Sequence, residues 1–269
     1  MAPRIAVVGS VNLDLVARVE RLPRAGETVG GATFARVPGG KGANQAVACA
    51  RLGADVTMIA AVGRDAMADE ALAGLRDASV TLELVESDEP TGVAVIQVDR
   101  DGETTIAVAP GANGTLASIE LPPHDAVLCQ LEVPDEAVLS AWEQCTGLFC
   151  LNAAPARSIA IDADLTVVNR HELEALARSD GLVALTLGAE GAVLLDDGDE
   201  IARAAPPAVE AVDGTGAGDA FTACLLVSVL EGRTDEESLV RACAAGALAA
   251  SRFGAQPSLP TATEVDAFL

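Results

Sequence analysis

The chain has 269 residues, of which 40 are acidic and 17 basic, so its formal net charge is −23 at pH 7. This balance excludes the clustered Lys and Arg of a nucleic-acid-binding surface, and we expect no nucleic-acid partner. Half of the residues are hydrophobic but only 2% are aromatic, which predicts a large aliphatic core. The acidic excess is compatible both with a salty habitat and with a plain solubility feature.

Cysteine and histidine are present but lack the spacing of a metal centre. The six cysteines form no C-x-x-C pair and most lie in apolar runs, so we expect reduced, buried thiols rather than disulfides. Two histidines are too few for a histidine-rich metal site. No apolar stretch reaches 18 residues, and the N-terminus lacks the pattern of a signal peptide. These features predict a cytoplasmic protein without a membrane partner.

Strand-like and helix-like patterns alternate over most of the chain. Short apolar runs predict strands at 5–8, 56–62, 126–130, 148–152, 165–168, 182–187 and 192–195. Helical patterns cover 40–52, 66–77, 135–145, 170–178, 217–231, 235–252 and 264–269. Alternation of this kind predicts an α/β fold with a parallel sheet covered by helices. We expect a single domain over residues 1–269.

Two segments depart from this alternation. Residues 13–37 form short alternating pieces that prolines and glycines interrupt. Residues 91–98 and 103–109 read as two strands joined around Asp101-Gly102, which is a hairpin signal. The two segments, about 13–37 and 91–109, are predicted to pair into one small sheet that acts as a lid.

The most informative motif is Asp213-Gly-Thr-Gly-Ala-Gly-Asp219, which precedes a long apolar run. Its glycines allow backbone N–H groups to close around an anion at the start of a helix, where the first N–H groups lack partners. A carboxylate inside an anion site is unfavourable unless it has a task. Asp219 is therefore a candidate for accepting a proton beside a phosphoryl group.

A second glycine-rich motif is Pro38-Gly-Gly-Lys-Gly-Ala-Asn44-Gln45, and Lys41 is the only lysine of the chain. It is not a nucleotide P-loop, because Gly42 follows the lysine where Ser or Thr is required. Small residues let a ligand approach the backbone, and Asn44 offers both a donor and acceptors. The motif is thus compatible with a polyhydroxylated ligand, and equally with a simple turn that begins a helix.

Polar groups also follow at least five of the predicted strands. They include Asn12 and Asp14, Gln130 and Glu132, Asn169 and Glu172, and the turn from Thr186 to Gly191. Each one alone reads as a polar loop. Because the carboxyl ends of parallel strands meet at one edge of a sheet, together they predict a ligand site there.

These motifs resemble the ribokinase (PfkB) family of carbohydrate kinases, nearly end to end, from Gly9-Ser-Val-Asn12-Leu-Asp14 to the 254–260 segment. The two glycine-rich motifs are specific signatures of that family. The resemblance implies a ribokinase-like three-layer α/β/α sandwich with a mainly parallel central sheet and a small β-sheet lid, which often serves in forming a homodimer. It also implies transfer of the ATP γ-phosphoryl group to the O5 hydroxyl of D-ribose, giving D-ribose 5-phosphate and ADP.

The resemblance further implies a role for each motif residue. Asp219 would be the general base, and the 215–218 backbone, with Gly216, Ala217 and Gly218, the anion hole. The sugar would contact Asn12, Asp14, Gly40, Lys41, Gly42, Asn44, Glu132 and Asp219. Asn169 and Glu172 would orient Mg²⁺ and the phosphates, and Thr186, Gly188, Gly191, Gly218 and Cys243 would border the nucleotide. A potassium ion, K⁺, would be held by Asp213, Thr215, Ala249, Arg252, Gly254 and Ser258.

The chain departs from the family pattern between Arg157 and Leu182, where family members have longer segments. A short helix from Arg170 and a turn at 179–181 are predicted to replace a helix, which removes cover near the nucleotide. Alternatives within the class are a kinase for another pentose, a hexose or a nucleoside. An alternative from another class is a non-catalytic sugar-binding protein, against which the intact Asp219 and glycine motif argue.

Overall fold

The structure is a computed structural model that describes residues 1–100, 102–176 and 181–269. The strands are β1 (Arg4–Val8), β2 (Asn12–Arg18), β3 (Thr33–Gly39), β4 (Asp55–Gly63), β5 (Thr81–Ser87), β6 (Gly92–Val98), β7 (Thr104–Ala109), β8 (Ala126–Gln130), β9 (Leu148–Asn152), β10 (Leu165–Asn169), β11 (Leu182–Thr186), β12 (Ala192–Asp196) and β13 (Asp199–Ala204). The helices are α1 (Lys41–Arg51), α2 (Ala66–Ala71), α3 (Ala73–Asp77), α4 (Asp135–Gln144), α5 (Arg170–Ala175), α6 (Ala217–Leu230), α7 (Asp235–Ala250), α8 (Ala255–Ser258) and α9 (Ala262–Phe268). Short 3₁₀ turns lie at Gly111–Thr115 and Gly188–Glu190.

The central sheet has the strand order β13-β12-β11-β10-β9-β8-β1-β4-β5. Strands β5, β4, β1, β8, β9, β10 and β11 pair in parallel. Strands β12 and β13 add to the β11 edge in antiparallel fashion. The predicted, mainly parallel sheet is therefore confirmed.

Helices cover both faces of this sheet because its inner strands are apolar on both sides. In β1, Ile5 and Val7 pack into a core that also holds residues of α1, α6, α7 and α9. The alternate residues Ala6 and Val8 pack into a second core with α4. The alternation along one strand thus sets up two apolar layers, which makes the predicted three-layer α/β/α sandwich.

A second, smaller sheet has the order β3-β2-β6-β7, and we call it the small sheet. The two segments that interrupt the alternation do pair, since β2 lies parallel to β6 and antiparallel to β3. Strand β7 is antiparallel to β6, as the hairpin signal predicted. Of the predicted turn at Asp101-Gly102, Asp101 lies outside the described residues.

Several element boundaries differ from the sequence-based expectation. Strands β5 and β13 were not predicted, because both are edge or near-edge strands in which charged residues interrupt the apolar alternation. The predicted helix 66–77 is divided at Leu72, which ends α2 and begins α3. Of the predicted helix 170–178, the structure describes α5 up to Ala175 and a cap at Leu176. The remainder of that helix, and residues 179 and 180 of the predicted turn, lie outside the described residues. Within the described part of the chain, no helix has the length and apolarity needed to cross a membrane.

Candidate active site

A cavity of about 550 Å³ lies at the carboxyl ends of the central strands. Residues that follow β1 and β8, or that end β9, β10 and β11, line it: Asn12, Glu132, Asn152, Asn169 and Thr186. The small sheet contributes Ala94, Ile96, Ile106 and Val108 to the same lining. The convergence of polar groups at one sheet edge, expected from the sequence, is therefore present.

Asp219 lies in this cavity on the first turn of α6 and is 7% exposed. Each carboxylate oxygen accepts one amide N–H at 2.9 Å, Oδ2 from Asn44 and Oδ1 from Gln45. Burial raises the pKa of Asp219 above its ordinary value, whereas Lys41 and the two amide donors lower it. Glu132 also raises this pKa. The carboxylate is thus held in place by donors on α1, a helix far away in sequence.

The amide of Asn44 is fixed with its nitrogen toward Asp219, so its oxygen points elsewhere. Among the described residues this buried oxygen, Oδ1, has no hydrogen-bond partner. A buried acceptor without a partner is costly. Because Asn44 lines the cavity, a ligand hydroxyl could supply the missing hydrogen bond.

Asp14, in β2, is a second buried carboxyl of the cavity. Burial, reinforced by Glu132 and Asp219, raises its pKa to about 7. The backbone of Gly39 lies against it, and a Cβ at that position would be 2.3 Å from the carboxyl oxygens. A glycine is therefore required beside Asp14.

Glu132 holds the start of α1 against the end of β1. Its Oε2 accepts from the backbone N–H of Lys41 at 3.0 Å and from the hydroxyl of Ser10. The Ser10 hydroxyl in turn accepts from the N–H of Gly42 at 3.3 Å. Gly40 caps this helix with φ = 89° and has no room for a Cβ, which would be 2.8 Å from Asn12 N.

The Lys41 side chain is surrounded by acidic groups. Burial alone would lower the pKa of Lys41, but the carboxylates of Asp219, Glu132 and Glu172 raise it above its ordinary value. The ammonium therefore stays charged in a cavity of carboxylates. A cation in this position can neutralise a phosphoryl group that enters the cavity.

Asn113 is a buried partner of the site that the sequence analysis missed. Its Nδ2 donates to Oδ1 of Asn12 at 2.8 Å, and its Oδ1 accepts from the backbone N–H of Val11 at 2.9 Å. A Cβ at Gly92 would be 2.3 Å from both side chains, so the approach depends on that glycine. No spacing rule connects these positions, because the contact exists only once the small sheet has formed.

The predicted anion hole begins α6. Gly216 is the N-cap with φ = 82°, and the helix starts at Ala217. At Gly214 and Gly218 a Cβ would meet no described atom within 4 Å, and both residues line the cavity. Open space therefore adjoins this helix start, where the first N–H groups have no partner within the helix, although the N–H of Ala217 donates to Gly214 O at 3.2 Å.

A second cavity, of about 650 Å³, adjoins the same loop. Thr186, Gly214 and Gly218 line both cavities. The predicted nucleotide residues Gly188, Gly191 and Cys243 line the second one, together with the apolar residues Pro206, Pro207, Val209, Phe221 and Ala247, which sequence reasoning missed. The Cys243 thiol lies 3.7 Å from Ala204 O, and burial raises its pKa to about 11, so it stays neutral.

Asn169 and Glu172 both line the first cavity and form a capping box at the start of α5. Asn169 Oδ1 accepts from Glu172 N at 2.9 Å, and Glu172 Oε2 accepts from Asn169 N at 2.8 Å. The Asn-x-x-Glu spacing is therefore explained locally by helix capping. One carboxylate oxygen and the Asn169 amide nitrogen are not used in this box.

The predicted cation ligands lie on adjoining segments. Asp213 accepts from Thr215 N with one carboxylate oxygen and from Gly254 N with the other, both at 2.9 Å. The Ala249 carbonyl accepts from Arg252 N, and the Ser258 hydroxyl donates to Ala255 O. Since the guanidinium of Arg252 pairs with Glu264, only its carbonyl could serve a cation. The donor set is one carboxylate with carbonyl and hydroxyl oxygens, which suits a monovalent cation.

The sequence pattern of the pfkB family carbohydrate kinases matches residues 2–262. A buried carboxylate in the first cavity, at a glycine-rich helix start whose Gly218 lines both cavities, agrees with that match. The chain therefore belongs to the pfkB family of carbohydrate kinases, as its motifs indicated.

The chain is similar to proteins described as ribokinases. It is 38% identical to the ribokinase of Bacillus subtilis, with 98% of this chain and 99% of the relative covered. It is 36% identical to that of Lactococcus lactis over an alignment of 292 positions that covers 99% and 97%. The solved structure of Arabidopsis thaliana ribokinase complexed with ribose and ATP matches with a TM-score of 0.85 and 31% identity, covering 100% of this chain and 99% of that one.

Proposed function

We propose that this protein phosphorylates D-ribose at O5 with ATP, giving D-ribose 5-phosphate and ADP. Asp219 is the general base, and the 215–218 backbone is the anion hole. The observation that carries the proposal is the pair of cavities that share Gly214 and Gly218. One cavity holds buried carboxyl and amide groups for a polyol, and the other is mainly apolar, as a nucleotide base requires.

The reaction needs positioning and charge neutralisation more than covalent chemistry. O5 of the sugar attacks the γ-phosphorus, its proton passes to Asp219, and the bond from phosphorus to the bridging oxygen breaks, which leaves ADP. The N–H groups of Gly216 and Gly218 meet the developing charge, whereas the N–H of Ala217, which donates to Gly214 O at 3.2 Å, would first have to leave that acceptor. Lys41 adds a positive charge on the sugar side of the loop.

The proposed sugar contacts divide into donors and acceptors. Lys41 and the amide nitrogen of Asn12 donate, whereas Asp14, Glu132 and the free oxygen of Asn44 accept. Gly40 lines the cavity at the start of α1. Gly42 does not line it, and a Cβ at Gly42 would be 2.5 Å from Ser10 N, so this glycine lets α1 approach the end of β1 and supports the sugar site only indirectly. Such a set satisfies several hydroxyl groups at once and rejects an apolar ligand, which would leave these buried groups unpaired.

ATP is the proposed donor, with its base among the apolar residues near Cys243 and its border formed by Thr186, Gly188 and Gly191. Mg²⁺, held by the phosphates and oriented by Asn169 and Glu172, would neutralise phosphate charge. K⁺ at Asp213, Thr215, Ala249, Arg252, Gly254 and Ser258 would stabilise the loop that precedes α6. Asp213 supports this assignment because it already joins the two segments concerned.

We further propose that residues 1–269 form one domain, with the small sheet acting as a lid and as the interface of a homodimer. Ile106 and Val108 in β7 are about half exposed. In the described residues β7 pairs with β6 alone, so its other edge offers unpaired backbone groups. We expect the wild type to sediment as a dimer and Ile106→Lys to sediment as a monomer. A wild type that is monomeric at tens of micromolar contradicts the interface.

Free thiols at all six cysteines support a cytoplasmic location.

The test of the function is an assay of ADP formation with ribose, other pentoses, hexoses and nucleosides, with and without K⁺. Carbon and phosphorus NMR then locate the phosphate on the product. We expect ribose to be preferred and the product to be the 5-phosphate. Faster turnover of a nucleoside or of another sugar contradicts the ribose assignment. Calorimetric binding of ribose without any turnover would instead identify a non-catalytic sugar-binding protein.

A further inference from the structure

A row of buried amides lies behind the Asp219 carboxylate. Gln45 is fully buried in α1, and its Nε2 donates both hydrogens, one to Asp219 Oδ1 and one to Asn152 Oδ1, each at 2.9 Å. Its Oε1 accepts from Nε2 of Gln130 at 2.6 Å. Both N–H groups and the oxygen of the Gln45 amide therefore have protein partners.

The direction of each amide in this row follows from a backbone carbonyl. Val167 O can only accept, so Asn152 must turn its Nδ2 toward it, at 3.1 Å. The Asn152 oxygen then faces Gln45, so the Gln45 nitrogen must donate to it. The same nitrogen consequently faces Asp219, and the Gln45 oxygen faces Gln130. If the Gln45 amide were flipped, its oxygen would face two other acceptors, the oxygens of Asn152 and Asp219, and neither hydrogen bond could form.

The far end of the row is also built for this arrangement. The Oε1 of Gln130 is buried and has no hydrogen-bond partner among the described residues. A Cβ at Gly9 would be 2.0 Å from that oxygen, so only glycine leaves room for the Gln130 amide. The chain thus tolerates a buried acceptor without a partner in order to keep the Gln130 nitrogen on Gln45.

We propose that Gln45 is a positioning residue of the phosphoryl-transfer reaction, which holds the Asp219 carboxylate in its working orientation, with Gln130 and Asn152 fixing the direction of the Gln45 amide. The proposal rests on the proposed function, in which Asp219 is the base. Gln45 is not among the residues that line the first cavity, so it does not contact a ligand there. It acts on the reaction only through Asp219.

The charged surroundings of Asp219 make this donor important. Lys41 favours the ionised carboxylate, whereas Glu132 opposes it, and Asp219 in turn raises the pKa of the neighbouring Asp14. Asn44 on Oδ2 and Gln45 on Oδ1 are the amide donors to the carboxylate. Removing the Gln45 donor therefore both loosens one oxygen and makes the carboxyl easier to protonate.

The test is Gln45→Met, which keeps the length of the side chain and removes the donors. We expect kcat to fall roughly 10- to 100-fold, as for the loss of a hydrogen bond to a charged group, with KM for ribose and ATP within about threefold of wild type. The acid limb of the kcat–pH profile should move to higher pH. Gln130→Met should act in the same direction with a smaller loss. Gln144→Met, which removes an exposed amide on α4, is the matched control and should leave kcat unchanged.

A double-mutant cycle separates positioning from a general loss of folding. If Gln45 acts through Asp219, adding Gln45→Met to Asp219→Asn should cost no further activity. A further loss in that background, or an unmoved acid limb, overturns the proposal. If Gln45→Met does not fold, Gln130→Met with wild-type kcat and pH profile overturns it as well. Failure of the wild type to phosphorylate any sugar would instead reject the proposed function itself.

Discussion

Asn113 donates a hydrogen bond of 2.8 Å to the side-chain oxygen of Asn12 and thereby fixes which end of the Asn12 amide faces the cavity. The Asn12 nitrogen is left as the donor for a ligand. The two residues connect the start of β2 with the segment that follows β7, so a contact at the base of the small sheet sets the chemistry of the cavity.

The first prediction concerns this pair. Asn12→Asp keeps the acceptor for Asn113 but replaces the ligand donor with a carboxylate oxygen beside Asp14. We expect the dissociation constant of ribose to rise by about 10- to 100-fold, because a buried hydrogen bond is lost and like charges are brought together. Calorimetry measures the affinity and thermal melting the stability. Unchanged ribose affinity would show that the Asn12 nitrogen does not meet the sugar.

The second prediction concerns the base. Asp219→Asn should lower kcat by about three orders of magnitude or more, because the reaction loses the group that accepts the proton. The fold should survive, because Asn44 can turn its unpartnered oxygen toward the new amide nitrogen. Rapid-quench turnover and circular dichroism check the two halves. Turnover within tenfold of wild type would remove Asp219 from the proposed role.

The third prediction is a pH dependence. Asp14 has a pKa of about 7 without ligand, and as a carboxylate it accepts hydrogen bonds from sugar hydroxyls. Ribose affinity should therefore weaken as the pH falls below about 7 and level off above it. In Asp14→Asn this limb of the affinity profile should be absent, whereas the kcat limb assigned to Asp219 should remain.

Stability gives an independent check on the same group. The folded pKa of Asp14 is raised from 3.8 to about 7, so the folded state keeps a proton that the unfolded state releases. This contribution is fully present below pH 3.8 and is lost as the pH rises through about 7. The free energy of unfolding should therefore decrease over this window in the wild type and less so in Asp14→Asn. Identical slopes for the two proteins would contradict the raised pKa.

The fourth prediction separates stability from activity at the anion hole. A methyl group at Gly218 meets no described atom, and the residue has no positive φ, so Gly218→Ala should be as stable as wild type or up to about 1 kcal/mol more stable. It should nevertheless lose most of its activity, because the methyl group enters the space shared by the two cavities. Gly216→Ala, at φ = 82°, should lose stability as well as activity. Melting temperature and kcat distinguish the two variants.

The fifth prediction concerns the attachment of α9. Arg241 is 1% exposed and pairs with Asp266 at 2.7 Å and with Glu231 at 3.5 Å. Asp266→Ala therefore leaves the buried guanidinium with only the longer of these two ion pairs. Since Asp266 is itself half exposed, we expect a loss of about 1–2 kcal/mol rather than the larger cost of a fully buried pair. Asp69→Ala, which breaks an exposed pair with Arg76, is the control and should cost less than about 0.5 kcal/mol. Equal losses would contradict the difference in burial.

Much of the fold could be predicted from the sequence because apolar runs and glycine turns act locally. The inner strands and the helices α1, α6 and α7 follow from such runs. Strand β5 was not predicted, since the alternation around Leu82 and Leu84 is short, Glu86 breaks it, and the pairing with β4 makes the segment a strand. Likewise, Leu72 divides a continuous helical pattern without any proline or glycine at the break.

The site residues that lie in a local motif could be predicted, whereas those whose role depends on contacts between distant segments could not. Asp219, Lys41 and Asn44 lie in glycine-rich motifs whose chemistry is readable, and the cavity brings them together. Gln45 lies in the same motif, yet its task depends on Gln130, which is 85 positions away in the chain. Contacts of this kind depend on the register of parallel strands, which no local pattern specifies.

Gly214 and Gly218 line both cavities, so a phosphoryl group at this loop can be reached from either one. In the proposed reaction, the acceptor oxygen would enter from the first cavity and the leaving oxygen would depart into the second. We therefore expect a single displacement that inverts the stereochemical configuration at phosphorus, with no phosphorylated form of the enzyme along the way. For the same reason, one molecule that joins a pentose to adenosine through a phosphate chain should occupy both cavities and exclude both substrates.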